Sequence, residues 1–484
     1  MQDLMTRCMP FLSDHPQLKI IQDIARRKKV SIYLVGGYLR DLQLGMETKD
    51  FDFAVSRDAL GLARSFAKRI NGAYVLLDEE HGCARVVKKV NGQPHVYDFA
   101  DFRAGTIEKD LALRDFTINT LSLDLLKLED SSEVSDVLVD ARHGLRDIKE
   151  RRIRQTSVKA FREDPLRMMR AFSLKAALGF SIELKTLNQI RKEKDLINGV
   201  SYERVRDELF KVLETGNAAA VLRSMDRMGL LERIIPQVRV MFACKQGTYH
   251  HLDVWPHSLE TVAQLEGVYR QVREDREVRD YLAESLGGNR SRLALMKLAA
   301  LLHDIGKPDT RKRERGRVSF HGHEHVGKNI VRHIALMLKL SVRERHALED
   351  MVRWHLRPGY LSNFKQPSEK AVYRYFRDAR DEAVSVLLLS LADQRATRGP
   401  ATTQSDQEHH ENICLSLVRR HFARTKEQPL VRLINGDDLI RKLKLKPSPL
   451  FARILSEVEE KQSLGKIKTK KEALVLAGEL AGKA

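Results

Sequence analysis

Asp50 and Asp52 stand one residue apart in Lys49-Asp-Phe-Asp-Phe53, a few residues after the run Val35-Gly-Gly-Tyr-Leu-Arg-Asp41. Side chains of an extended strand alternate faces, so both carboxylates share one side while Phe51, Phe53 and Val55 give the strand an apolar opposite side. Two carboxylates held that way can share divalent ions, which bridge a triphosphate and activate a hydroxyl. Residues 31–35 read as a short buried strand ending at Gly36-Gly37, where amides unobstructed by a Cβ can approach a phosphate closely. Strand, glycine pair, Arg40 and paired carboxylates, in that order, describe metal-dependent nucleotidyl transfer.

A separate constellation lies downstream. His257 stands near the start of a helix, His303-Asp304 closes an apolar helix over 293–302, and Asp393 lies on a helix over 383–393. Imidazoles and carboxylates drawn from separate helices can converge on one divalent metal inside a bundle. His321, His323 and His355 are candidates for a second metal position. His251, His325, His333, His409 and His410 read as surface or satisfied core histidines.

These residues need a scaffold of two kinds. Strand-like runs at 31–35, 51–55, 73–77, 84–90 and 95–100 surround a helix near 57–70, and 121–128 with 137–140 finish the β region. From residue 158 onward nearly every segment carries helical spacing. The fold class is α+β: a mixed-sheet head with helices, then an all-α neck and a second all-α domain. The expected domains are 1–150 (head), 151–240 (neck with a base-reading helix), 241–425 (metal-binding helical domain) and 426–484 (helical tail).

The stretch Gly36-Gly-Tyr-Leu-Arg-Asp-Leu-Gln-Leu-Gly-Met-Glu-Thr-Lys-Asp-Phe-Asp-Phe-Ala-Val55 resembles the signature of the bacterial tRNA nucleotidyltransferase and poly(A) polymerase superfamily. Leu113-Arg-Asp-Phe-Thr-Ile-Asn119 is similar to the family's RRDFTIN block, with Leu113 in place of the first arginine. Arg162-Glu-Asp-Pro-Leu-Arg-Met-Met-Arg-Ala171 is similar to its EDxxR helix, though Ser173 and Lys175 interrupt the usual continuation. The resemblance implies Asp50 and Asp52 as catalytic Mg2+ ligands and Asp98 as a third carboxylate, whose alternative is an exposed strand side chain. It implies a nucleotide-binding set of Gly36, Gly37, Arg40, Arg114, Asp115, Asn119, Asp164, Arg167 and Arg170. Arg114, Asp115 and Asn119 would hold ribose and phosphate, unless they form an ordinary helix N-terminus. Asp164 and Arg167, one helical turn apart and so on one face, would read the edge of an incoming ATP or CTP base; a helix-surface ion pair is the other reading.

The downstream histidines and aspartates resemble the HD phosphohydrolase pattern His…His-Asp…Asp. This implies an ion such as Mn2+, Ni2+ or Mg2+ on His257, His303, Asp304 and Asp393, with His323 and His355 at a possible second position. Leu433-Ile-Asn-Gly-Asp-Asp-Leu439 and the lysines 466, 468, 470 and 471 resemble the tail of HD-bearing members.

Composition agrees. The 484 residues carry a net charge of +19, an excess that favours a polyanion, here RNA and most naturally a tRNA 3′ end, with no DNA expected. Aromatics make up only 6%, which argues against a surface of stacked single-stranded bases. Four cysteines without CxxC spacing, and the lack of a signal-like or membrane-spanning apolar run, predict a reduced cytoplasmic protein with no membrane partner. The reading that results is a CCA- or A-adding tRNA 3′-terminal nucleotidyltransferase with an attached HD phosphohydrolase. Its alternatives are a poly(A) polymerase and an HD phosphohydrolase whose head binds RNA.

Overall fold

The computed structural model describes residues 8–247, 250–314, 317–400, 402–426 and 431–482. The chain divides into two compact units, Met1–Glu208 with Arg227–Arg233, and Leu209–Asp226 with Ile234–Ala484.

In the first unit, β-branched and aromatic runs form a seven-stranded sheet: β1 (Ile32–Val35), β2 (Asp50–Val55), β3 (Ala73–Asp78), β4 (Cys83–Val90), β5 (Gln93–Asp101), β6 (Ser122–Asp124) and β7 (Leu138–Val139). Their spatial order is β3-β4-β5-β2-β1-β6-β7. Every neighbouring pair is antiparallel except β2 and β5, which run parallel. The crossover between those two includes the Ala59–Ile70 helix. Asp58 caps that helix by accepting from the Gly61 amide at 3.1 Å, and its stripe Leu62, Ala63, Phe66 and Ala67 is buried. Phe66 meets Tyr97 and Phe99 edge-on at 5.1 and 5.7 Å. The core below the sheet continues through Phe51 stacked on Tyr38 and Tyr97, and Phe53 on Phe99. At the tip of the β4–β5 hairpin Asn91 and Gly92 both have positive φ (51° and 78°), the turn whose twist matches paired strands.

The strand predicted over 121–128 is cut short. Asp124 accepts from the Leu126 amide at 3.1 Å and turns the chain into a short 3₁₀ helix, Leu125–Lys127.

Helices make up most of the second unit. The Arg292–Leu302 helix is buried on all sides, as is the Ala383–Ala396 helix over its first ten residues, so both run through the interior rather than along a surface. Around them stand the Val254–Val272, His323–Met337 and Val342–Trp354 helices. The C-terminal helices share a small core of Ile434, Leu439, Ile454, Val458, Ala473 and Ala477.

Candidate functional site

Strand register brings the three head carboxylates together. Val35 lies opposite Asp52 on one side, and on the other the parallel β2–β5 pairing sets Asp52 beside Asp98. Phe51 and Phe53 point the other way and are buried, as alternation requires. Burial pushes the Asp52 carboxyl up to about 6; Arg114 opposes this, while Asp98 and Asp50 add to it. Three carboxylates at one strand crossing, one of them resisting ionisation, fit a divalent cation, which would relieve both burial and repulsion. Gly36 stands over them with φ 81°, and a Cβ built there would come 3.2 Å from the Asp52 Oδ2 atom. A side chain at that position would crowd the carboxylate, so glycine serves both backbone and space. Gly37 begins the Gly37–Gln43 helix.

Around this centre the polar residues form a chain. Arg40 Nη1 donates to Asn119 Oδ1 at 2.7 Å, and Asn119 Nδ2 donates to Asp115 Oδ1 at 3.0 Å. Arg170 Nε donates to Asp115 Oδ2 at 2.9 Å. Burial opposes ionisation of Asp115, yet Arg170, Asn119 and the Phe116 amide outweigh it and hold the carboxyl below its usual range. Asp115 and Asn119 therefore belong to one network rather than to a bare helix N-terminus, while the Arg114 guanidinium stands apart from it, 3.5 Å from Asp110. A cavity of about 620 Å³ opens beside it, lined by Arg103, Arg114, Arg167, Arg170 and Arg204 together with Asp115, Glu163 and Asp164. An arginine-rich lining of this kind suits a polyphosphate.

Asp164 and Arg167 do not share a helical face. Asp164 ends the short Ala160–Glu163 helix in an extended conformation (φ −146°), because Pro165 follows and disfavours a helical residue before it. Its carboxylate accepts from the Leu166 amide at 3.2 Å and from Arg204 Nη2 at 3.0 Å. Arg167 begins the next helix, Arg167–Leu178, and is 7% exposed. Its guanidinium donates to the carbonyls of Leu113 and Ala160 at 2.7 and 3.2 Å, so it staples two segments together. Two residues absent from the sequence-based set enter here. Arg85 forks onto Asp98 through Nε and Nη2, each at 2.8 Å, and Arg204 pairs with Asp164.

In the second unit the His–Asp residues meet as expected. His257 Nε2 is 2.8 Å from Asp393 Oδ1 and 3.8 Å from Asp304 Oδ2, and His303 Nε2 is 3.2 Å from Asp304 Oδ2. His323 and His355 approach the other oxygen, Asp304 Oδ1, at 3.2 and 3.7 Å. Asp304 is thus common to two groups of possible metal ligands, His257 with His303 and His323 with His355. His303, His323 and His355 each direct Nδ1 at the carbonyl three residues earlier, at 2.9, 2.8 and 2.7 Å. That hydrogen bond fixes a proton on Nδ1, so Nε2 is the atom that faces the cluster and the one that could serve a metal once free of its own proton. His303 Nε2 and His257 Nδ1 are buried without a hydrogen-bond partner. Unsatisfied donor atoms at the centre of such a set fit a cation.

Electrostatics agree. Burial would hold His303 neutral, but Asp304 and Asp393 push it up to about 10, so the pocket stabilises a positive charge. Burial holds His355 down to about 3. His321 is exposed and stands outside the cluster. Lys307, 2.6 Å from Asp304 Oδ2, and His250, edge-on to His257 at 4.9 Å, are members that the sequence reading did not single out. His410, read as surface or satisfied core, is buried and lines the same cavity of about 540 Å³.

Comparison with known proteins finds four family models along the chain. "Poly A polymerase head domain" matches residues 32–154, and "Probable RNA and SrmB- binding site of polymerase A" matches 179–241. "HD domain" matches 254–398, and a tRNA nucleotidyltransferase domain 2 model matches 425–477. The A-adding tRNA nucleotidyltransferase of Deinococcus radiodurans is 33% identical over 450 residues, 91% of this chain and 93% of that protein. The CC-adding tRNA nucleotidyltransferase of Geobacter sulfurreducens is 29% identical over 467 residues, 96% of each. Among solved structures, a CCA-adding enzyme with ATP superimposes with a TM-score of 0.65 at 20% identity, covering 97% of this chain and 95% of that one. A Thermotoga maritima CCA-adding enzyme complexed with tRNA gives 0.61 at 21% identity, covering 96% and 94%. No described helix is long and apolar enough to cross a membrane.

Proposed function

Since the chain belongs to the tRNA nucleotidyltransferase family, we propose that it transfers AMP or CMP from ATP or CTP to the 3′-hydroxyl of a tRNA and releases pyrophosphate. Asp50 and Asp52, with Asp98 beside them, would hold Mg2+. Bound there, the metal would neutralise triphosphate charge and make the attacking hydroxyl more acidic. Arg114 and Arg170 face the same cavity and would meet the phosphates; Asp115 holds Arg170 in place for that contact, and Asn119 ties Asp115 to Arg40. Asp164, paired with Arg204 at the same cavity, would read the edge of the base, and Arg167 would shape the cavity wall. The single observation carrying this reading is the β2–β5 register, which sets Asp52 beside Asp98 next to an arginine-lined cavity.

In the second unit His257, His303, Asp304 and Asp393 would hold Mn2+, Ni2+ or Mg2+, with His323 and His355 reaching the opposite side of Asp304. The activity that suits this set is hydrolysis of a phosphoester. An incorporation assay tests the main reading: labelled ATP and CTP offered to tRNAs ending at the discriminator base, at C or at CC, and to an unrelated RNA. Addition confined to one or more tRNA ends supports it. Equal extension of the unrelated RNA would instead identify a poly(A) polymerase, and no incorporation with any divalent ion would overturn nucleotidyl transfer.

A further inference from the structure

The short Arg357–Ser362 helix and the residues just after it separate two cavities of the second unit. On one side lies the His–Asp cavity: Ser362 Oγ meets His410 Nδ1 at 3.0 Å, and the Phe364 carbonyl accepts from His409 Nε2 at 3.0 Å. On the other side a groove of about 360 Å³ is lined by Tyr360, Phe364, Arg357, Lys370 and Arg374. Tyr360 is 58% exposed and Phe364 64%. Among the described residues Tyr202 is the only other exposed aromatic side chain. An aromatic ring left in water gains nothing for the fold, so two of them on one wall indicate a partner with flat apolar faces.

The charges around them narrow that partner. The stretch 353–377 carries six Lys and Arg against the single carboxylate Glu369. Three of those cations line the groove and are held by carboxylates from neighbouring helices: Arg357 by Asp378 at 2.6 Å, and Arg374 and Lys370 by Glu460 at 2.6 and 3.2 Å. Exposed rings beside oriented cations form the combination that unpaired nucleotides require, bases stacking on aromatics and phosphates meeting guanidinium and ammonium groups. A surface joining two protein copies would need a wider apolar area than two rings in a cationic groove. Low overall aromatic content does not oppose this, because the few exposed rings are concentrated at one place.

We propose that Tyr360, Phe364, Arg357, Lys370 and Arg374 form a docking surface for single-stranded RNA, which positions an RNA end at the neighbouring His–Asp cavity. The substrate of that cavity is then an oligoribonucleotide terminus rather than a free mononucleotide; this last step rests on the phosphohydrolase reading above. Base stacking on an aromatic is worth about a tenfold change in affinity. The full chain should therefore crosslink through Tyr360 or Phe364 to a single-stranded RNA carrying 5-iodouracil, with the site mapped by mass spectrometry. Tyr360→Ala with Phe364→Ala, exposed positions that leave folding intact, should abolish that crosslink and raise the KM for an oligoribonucleotide phosphoester about tenfold. Turnover of bis(p-nitrophenyl) phosphate should stay at the wild-type rate. Absence of the crosslink in the wild type, or equal oligonucleotide KM in both proteins, would overturn the docking surface. So would concentration-dependent dimerisation that the double variant loses. If the wild type hydrolyses no phosphoester with any divalent ion, the crosslink alone decides whether RNA docks here, and it is the hydrolase reading that fails.

Discussion

Asp52 offers the sharpest test of the head site, because the same burial that suits it to a cation makes it a burden to the cation-free fold. Its carboxyl is pushed from 3.8 to about 6, first by burial and further by Asp98 and Asp50, against the attraction of Arg114. At about 1.4 kcal/mol per pH unit, ionising it costs the folded state about 3 kcal/mol, an upper bound because part of the side chain still touches solvent. The sign follows from the raised value. The folded state binds the Asp52 proton more tightly than the unfolded chain does, so this residue's contribution falls as pH rises from about 4 through about 6, and is level above that. Asparagine has nearly the same shape and never ionises. In EDTA, Asp52→Asn should melt with the wild type near pH 4 and above it at pH 7.5, by about 5–10 °C for a unit of this size. Divalent ion should then raise the wild-type melting temperature and leave the variant unmoved, while the variant loses nucleotide incorporation by orders of magnitude. A gap that does not change with pH, or a variant that melts lower at pH 7.5, would refute the reasoning and make Asp52 a satisfied partner of Arg114.

Arg167→Ala should cost about 1–3 kcal/mol, since it leaves the half-buried Leu113 carbonyl without its donor and takes one of two donors from the Ala160 carbonyl, and should slow ATP and CTP incorporation by one common factor. Increased use of UTP or GTP by that variant would show that Arg167 reads the base after all. Elemental analysis should find a divalent ion in the wild type and none in His303→Ala, which should also lose any phosphoesterase activity while nucleotide addition stays within about twofold; loss of addition in a variant still folded by circular dichroism would tie the two activities together.

Much of this was legible in the sequence because it depends on period-two alternation and short-range order. β1, β2, β4 and β5 lie within two residues of their predicted bounds, and Phe51 and Phe53 take the face opposite Asp50 and Asp52. The apolar helices ending at His303 and bearing Asp393 were equally clear, since a helix buried on all sides has no polar stripe to confuse its reading. Asp164 and Arg167 depart from the expected shared face for a local reason: Pro165 breaks the helix between them, and a three-residue spacing does not by itself reveal the break. Arg85 could have been found, because the Asn91-Gly92 turn fixes a two-residue hairpin whose register sets residue 85 opposite 98. Arg204 could not, because its contact with Asp164 spans 40 residues and depends on how two helices pack. His250 lies in a stretch without periodicity, and it reaches His257 only through tertiary folding.

The pairing of β2 with β5 also says where this chain can change length. Asp52 meets Asp98 because each stands at one rung of a ladder, and a residue added within either strand would turn the following carboxylates toward the apolar layer and bring the phenylalanines out. Extra residues at the Asn91-Gly92 tip, beyond the last rung of its hairpin, would leave every such rung in place. Insertions and circular permutations at that tip should therefore be tolerated by the chemistry, and the same edits a few residues away, inside β5, should not.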